Sequence, residues 1–467
     1  MKSQDPATGL SVFNPFGLAA VLAAIGLILV VLRSPSYLVY DELAYLPGAR
    51  FLVEGHGLRE LILFSPFIPT GPLHSVIHAL AFPLTGLEAP RVRFVNCFLL
   101  FMSWLAISKT LMMVGMQQAY LRAATIIAVP MIWVTTGMAL TEIPAMTFAS
   151  FAAVATAWAA SLPTRQWKIW VGFGLAGICL ALATLGRQLY LPAVIGFLLI
   201  SVFDRRLRWP ALMASIVTCA LVLPLFLTWG GLVPPRTSQV AGGLSAAHGF
   251  LAVCYLGIVI LILAPAYFFE RWRWSIAAGI IGGLVGLAAG NLGLDIAAGI
   301  SGHLSPQLAN VFQRIASGAF VGAASAFTVA SLVNMWARRD DSFFMLNMLM
   351  MGGLTLTAAA VAHQFSSRYV LTAFPFAIFA VQPYFRPTLF AAARLLLGAV
   401  LGYFLLNNYL SRPQESAPQE KAAMEIYVPS RSEHSAPKSV RPPAQMDFPT
   451  RDLVRDCAIV QNRSNCV

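Results

Sequence analysis

Charge is what this sequence has least of. Only 11% of its 467 residues are Asp, Glu, Lys or Arg, while 58% are hydrophobic; a soluble domain carries roughly 25% charged residues. Mean hydropathy is +0.73, which excludes a soluble globular protein and leaves a polytopic membrane protein. Acids are the scarcer sign, 19 against 31 Lys and Arg for a net charge of +12, and only twelve of them precede Ser411. In a membrane chain this basic excess marks cytoplasmic loops and argues against nucleic-acid binding. Cysteine is also sparse. Cys97, Cys179, Cys219 and Cys254 stand alone in apolar runs and read as small core residues. Cys457 and Cys466 alone lie close together, in a polar tail, where an oxidising compartment would let them pair and a reducing one would leave two thiols. There is no Walker loop, dinucleotide fingerprint, zincin helix or Gly-Xaa-Ser-Xaa-Gly elbow. Matching Gly/Pro-broken spans in two halves, the mark of an inverted-repeat transporter, are missing as well. The first apolar run, 12–32, is long enough to span and has no small-residue cleavage site after it, so it reads as a retained span.

What is present is a succession of apolar runs of about 17 to 22 residues, each sufficient to cross a bilayer. Thirteen spans are expected, near 13–32, 94–114, 122–140, 144–161, 167–185, 189–203, 210–229, 250–269, 275–294, 317–336, 343–361, 369–385 and 387–406. With the N-terminus inside, alternate turns hold Arg122, Arg165 and Lys168, Arg205, Arg206 and Arg208, Arg271 and Arg273, Arg338 and Arg339, and Arg386. Those are the cytoplasmic turns by the positive-inside rule. Counting 71–87 as a further span would invert every later turn, so it reads as an interfacial or re-entrant helix of the first outer loop, 34–93. Thirteen spans place the Pro- and Ser-rich stretch 407–467 outside, as a largely disordered extracytoplasmic tail.

This orientation gathers the unusual residues on the outer face, including Asp41, Glu42, Glu142, Arg187, Arg368 and six of the seven histidines. Asp41 and Glu42 are adjacent carboxylates beside the first span; each raises the other's pKa or shares a cation, which suits one of them to general-base work. The plainer reading is a solvated loop whose acids cap an interfacial helix. Glu142, in a tight turn of Leu-Thr-Glu-Ile-Pro, is a carboxylate near hydrocarbon and a functional candidate on that ground, as well as a helix first-turn acid. Arg187, followed by Gln188, sits where two spans meet and needs an anion; a lipid phosphate would serve, and so would snorkelling to the headgroups. Arg368, in the last polar outer loop with His363 and Tyr369, is the second candidate phosphate ligand. His74 and His78 share one helix face at a spacing that metals accept, although such histidines are more often hydrogen-bonded helix residues.

In order and in side, these segments resemble the GT-C superfamily of integral membrane glycosyltransferases. The resemblance covers most of 10–406. Its parts are Asp41-Glu42 after the first span, Thr70-Gly-Pro-Leu-His74, Arg93-Xaa-Xaa-Asn96, the Leu140 to Pro144 turn, Gly186-Arg187-Gln188, and Ser367-Arg-Tyr-Val-Leu-Thr-Ala-Phe-Pro375. Within the superfamily the pattern is most similar to the endoplasmic-reticulum family that adds the terminal glucose to dolichol-linked oligosaccharide, through Tyr40-Asp41-Glu42, Arg187-Gln188, Trp229-Gly-Gly231 and His363 with Arg368-Tyr369. It departs from that family at Leu63-Phe-Ser-Pro66 and at Val233-Pro-Pro-Arg-Thr237.

The resemblance implies an all-α bundle with juxtamembrane helices in its first outer loop, in a single transmembrane domain over 1–406. It implies inverting transfer of a sugar from a polyprenyl-phosphate donor to a glycan, glycolipid or protein acceptor. Asp41 would be the base, Glu42 would position Asp41 or the acceptor, and Glu142 would shape the acceptor side or help hold a metal. Arg187 and Arg368 would grip the donor phosphate, with Gln188, His74, His363 and Tyr369 as further binding residues. No cofactor and no metal ligand set is assigned, a divalent metal remaining the alternative. The composition suits a bacterial inner membrane with the site facing the periplasm. Two other classes stand beside this one: a transporter or flippase of a lipid-linked or anionic solute, and a scaffold whose tail recruits partners.

Overall fold

The computed structural model describes residues 14–64, 70–163, 167–234, 243–269, 272–294, 297, 301–302, 304–362 and 365–411. The tail with Cys457 and Cys466, and His363, lie outside the described residues. Every regular element described is helical. That outcome follows from the solvent, because hydrocarbon offers the backbone no hydrogen-bond partners and helices satisfy their own.

Among the described residues, ten helices are long and apolar enough to cross a membrane. They are α1 (Pro15–Leu32), α6 (Arg93–Met113), α9 (Glu142–Ser161), α10 (Trp167–Gly186), α12 (Arg208–Trp229), α13 (Ala246–Leu263), α14 (Trp272–Ala289), α15 (Pro306–Ala337), α16 (Ser342–Leu356, extended by a 3-10 turn to Ala360) and α18 (Leu389–Leu410). Shorter pieces are α2 (Glu42–Val53), α3 (Leu58–Phe64), α4 (Leu73–Leu80), α5 (Phe82–Thr85), α7 (Ala119–Ala123), α8 (Pro130–Gly137), α11 (Val194–Phe203) and α17 (Phe374–Val381).

The thirteen expected spans therefore become ten long helices and three interrupted segments. The run 122–140 is bent by 78° between α7 with its 3-10 extension and α8, and makes an eleventh span only if the bent pair counts as one. The run 189–203 starts as a 3-10 turn through Pro192 and reaches α11 as a short helix. The run 369–385 is divided into a 3-10 turn, α17 opening at Phe374-Pro375, and a second 3-10 turn at Gln382-Pro383. Hydropathy saw the apolar length of all three. Proline, which lacks the amide hydrogen and crowds the preceding turn, shortened the helices. The stretch 71–87 forms the short α4 and α5, not a span.

Small residues let the long helices close on each other, as membrane interfaces require. The α14–α15 pair is the clearest case: Gly279, Gly282, Gly283 and Gly286 face Ser317, Gly318, Gly322 and Ser325, and a Cβ on Gly286 would stand 2.6 Å from the Ser317 carbonyl oxygen. Helix starts are capped where the sequence supplies the means. Asn14 accepts from the Phe16 amide at 2.9 Å, Asp341 from Phe344 at 3.0 Å, and Thr388 from Ala391 at 3.3 Å.

Candidate active site

Between α1 and α2 the chain turns through Tyr40, whose φ of 51° is the left-handed conformation that non-glycine residues seldom adopt. The Tyr40 ring lies 5.2 Å from that of Tyr409 near the end of α18. The next two residues have separate partners. Glu42, the first residue of α2, has no solvent exposure, and neither has Arg93 at the start of α6. Arg93 grips it with two parallel bonds, Nε to Oε1 at 2.8 Å and Nη2 to Oε2 at 2.7 Å. The amides of Val39 and Ala139 donate to the same two oxygens at 2.8 and 2.9 Å. The rest of the guanidinium holds the loop after α1, donating to Ser34 Oγ and to the carbonyls of Pro35 and Tyr37. A dry ion pair is tolerable only when its geometry is good and the remaining lone pairs are filled, and here both conditions are met.

Asp41 faces a different set. Its carboxylate pairs with Arg368 Nη2; Arg368 Nε lies 3.4 Å from Glu142 Oε1; and the same Oε1 accepts from Arg187 Nη1 at 2.6 Å. Arg187 Nη1 also donates to Thr141 Oγ1 at 3.0 Å. Acid and guanidinium alternate along this row, Asp41, Arg368, Glu142, Arg187. The Tyr369 ring supports both cations, with Arg187 at 5.4 Å and Arg368 at 6.0 Å from its centroid, a favourable stacking for guanidinium. Side-chain exposure is highest at one end of the row, 24% for Asp41 and 14% for Arg368, against 1% for Glu142 and 6% for Arg187. The row therefore opens at Asp41. Donor capacity is left over among the described residues, since Arg187 Nε and Nη2 and Arg368 Nη1 have no hydrogen bond there.

Local sequence explains the placement. Glu142 is the first residue of the 20-residue α9, where the helix dipole favours a carboxylate. The segment leading into it is pinned by Asn96 of α6, whose Nδ2 faces the carbonyls of Thr135, Met138 and Leu140 at 2.9, 3.1 and 2.9 Å. Arg187 directly follows Gly186 at the end of α10. The stretch before α4 passes so near that a Cβ on Gly71 would fall 1.9 Å from the Leu185 carbonyl oxygen.

Around this row lie side chains with unmet polarity. Gln188 Nε2, Tyr190 Oη and Glu142 Oε2 are buried without a hydrogen-bond partner. Tyr45, one turn beyond Asp41 on α2, is held protonated far above the usual phenol range by burial, reinforced by the Asp41 charge. His74 stands 5.7 Å from the Tyr45 ring and 4.3 Å from that of His78, and its Nε2 meets the Ala139 carbonyl at 2.9 Å. Burial pushes its pKa down to about 4, and burial also lowers that of His78 well below its ordinary value. Among the described residues no group of three or more His, Cys, Asp or Glu is placed to hold a metal ion.

Of the residues singled out from sequence, Asp41, Glu142, Arg187, Arg368 and Tyr369 thus meet at one place, with Gln188 and His74 at its edge. Glu42 serves a neighbouring ion pair. Sequence reasoning did not assign Arg93, Tyr45 or Tyr190 to the site. The available signal was spacing: Tyr45 lies four residues after Asp41 in a helix and Tyr190 three after Arg187, positions that share a face.

No protein-family model matches the chain, and no curated protein does. Among solved structures the chain is similar to the Archaeoglobus fulgidus oligosaccharyltransferase tethered with an acceptor peptide, at a TM-score of 0.40 and 15% identity, over 93% of this chain and 60% of that one. It is also similar to ArnT from Cupriavidus metallidurans bound to undecaprenyl phosphate, at a TM-score of 0.39 and 13% identity, over 82% of this chain and 77% of that one. The chain thus spans about three fifths of the oligosaccharyltransferase's length.

Proposed function

We propose that the protein is an inverting membrane glycosyltransferase that moves a sugar from a polyprenyl-phosphate donor to a glycan, glycolipid or protein acceptor. The observation that carries the reading is the row Asp41, Arg368, Glu142, Arg187. It sets a partly exposed carboxylate beside two guanidiniums with unused donors, in a membrane protein whose charges are otherwise few. The GT-C resemblance of the sequence points the same way.

In this reading the donor phosphate meets the unused N–H groups of Arg187 and Arg368, which match phosphate oxygens well. Glu142 keeps the two cations from repelling one another, and Tyr369 holds their planes. Asp41 takes the proton from an acceptor hydroxyl. That oxygen forms a bond to the anomeric carbon as the bond from carbon to phosphate oxygen breaks, and its electron pair leaves on polyprenyl phosphate. The arginines stabilise the charge that gathers there. Displacement from the opposite face inverts the anomeric centre. Glu42 fixes where Asp41 stands, and Gln188, His74 and His363 contribute to substrate binding. The positive-inside reading puts this site on the extracytoplasmic face, of a bacterial inner membrane on compositional grounds.

The test is sugar transfer in purified membranes from labelled polyprenyl-phosphate hexose, wild type against Asp41→Asn. Transfer by the wild type and none by a folded D41N protein supports the assignment. Undiminished transfer by D41N moves the base elsewhere. Binding of the lipid phosphate without any transfer favours a transporter.

A further inference from the structure

At the opposite end of the molecule a second group of arginines forms no ion pair among the described residues. Tyr409, near the C-terminal end of α18, sits against Tyr40 beside the candidate site. The 22 residues of α18 at 1.5 Å each put its N-terminus about 33 Å away, one hydrocarbon thickness. There a cavity of about 360 Å³ is lined by Leu263, Pro265, Tyr384, Phe385, Arg386 and Arg394, among others.

Arg394 lies within the α18 span, and its Nε is buried with no hydrogen-bond partner. An arginine inside a span is costly unless an anion meets it. Arg386 is exposed at the mouth. Arg338 stacks on the Tyr384 ring at 4.9 Å. Arg122 is near enough for its charge and that of Arg386 to repel, and its own guanidinium is taken up by backbone carbonyls of Gln117, Gln382 and Phe385. Among the described residues none of these four makes an ion pair. Of the neighbouring acids, Asp341 caps its helix and Asp340 makes no ion pair among the described residues; Glu270 lies outside the described residues. The start of α18 adds its partial positive charge to the same place.

We propose that this cavity binds the phosphate of an anionic phospholipid in the leaflet facing away from the candidate active site. Arg386 and Arg394 hold the phosphate oxygens. The acyl chains run along the apolar flank of α18, where Leu389 and Phe390 are 67% and 78% exposed. That flank is why a lipid is favoured over free phosphate. Basic pockets between membrane helices take lipid headgroups by this combination of fixed charge and adjoining hydrocarbon.

The experiment is thermal unfolding of the full chain in a non-ionic detergent, with added phosphatidylglycerol, phosphatidylcholine or sodium phosphate. Phosphatidylglycerol is expected to raise Tm by more than phosphatidylcholine, with sodium phosphate at the same concentration without effect. In Arg386→Gln/Arg394→Gln the apparent affinity for phosphatidylglycerol should fall about tenfold or more, the loss of at least one charge-assisted hydrogen bond. Arg386→Lys/Arg394→Lys, which keeps the charge, should retain part of the shift. Equal shifts with phosphatidylglycerol and phosphatidylcholine, or a shift that survives the double Gln change, would overturn the proposal. A shift of the same size from sodium phosphate would overturn the lipid assignment. The comparison of additives on the wild type decides the matter even where the Gln variant does not fold.

Discussion

Asp41 and Glu42 are adjacent in the chain and belong to different ion pairs. Glu42 is locked to Arg93 in the dry interior, whereas Asp41 meets Arg368 at the open end of a row of charges. The first expectation follows from that division. Asp41→Asn leaves Arg368 its contact with Glu142, so Tm should change little. Turnover should fall about 10²- to 10⁴-fold, the usual contribution of a positioned general base, with a much smaller change in donor KM. A comparable loss of Tm in D41N would make Asp41 a structural residue.

Glu42 should behave in the opposite way. Removing one partner of a buried pair strands the other charge, at a cost of about 3 to 5 kcal/mol. Arg93→Met and Glu42→Leu are each expected to lower Tm and yield sharply. The double variant E42L/R93M should lose less than the sum of the two, because neither charge is left behind. Strict additivity across that cycle would show that the pair is not coupled.

The gathering of these residues on one side was legible in the sequence, and the pairing was hidden. Asp41, Glu142, Arg187 and Arg368 could be assigned to one side because positive-inside bias fixes alternate turns, and they do meet. Which acid takes which arginine depends on side-chain direction, and adjacent residues of a turn diverge. The Glu42–Arg93 bond joins positions 51 residues apart and has no local signature. The continuity of three spans was overdrawn for a related reason. Apolar length in 122–140, 189–203 and 369–385 is real, but Pro130, Pro192 and Pro375 break the hydrogen-bond ladder that a straight span needs.

Glu142 and Arg187 permit a sharper separation of stability from function. Arg187→Met removes the 2.6 Å bond to Glu142 and leaves a buried carboxylate sharing only Arg368, so a loss of about 3 kcal/mol is expected. Adding Glu142→Gln neutralises the stranded acid and should restore much of the Tm. Transfer activity should stay lost in the double variant, since the donor phosphate has lost a guanidinium. Recovery of activity together with Tm would show that Arg187 serves only the fold.

The buried histidines of α4 set a pH dependence whose sign is fixed by their environment. Burial lowers the His74 pKa from the ordinary 6.5 to about 4, and lowers that of His78 as well. Both ring nitrogens of His78 and Nδ1 of His74 lack partners, and the Ala139 carbonyl and Glu142 charge that favour a protonated His74 are outweighed by its burial. Below about pH 6.5 the undocked helix binds protons that the docked one refuses, so docking weakens as pH falls and strengthens as it rises. For His74 alone the loss approaches about 3 kcal/mol by pH 4. Protease sensitivity of the segment around α4 should therefore rise between pH 6.5 and 4.5, and His78→Leu should flatten the profile by removing one of the two titrating rings. A pH-independent cleavage rate in the wild type would show that α4 does not exclude protons as its burial requires.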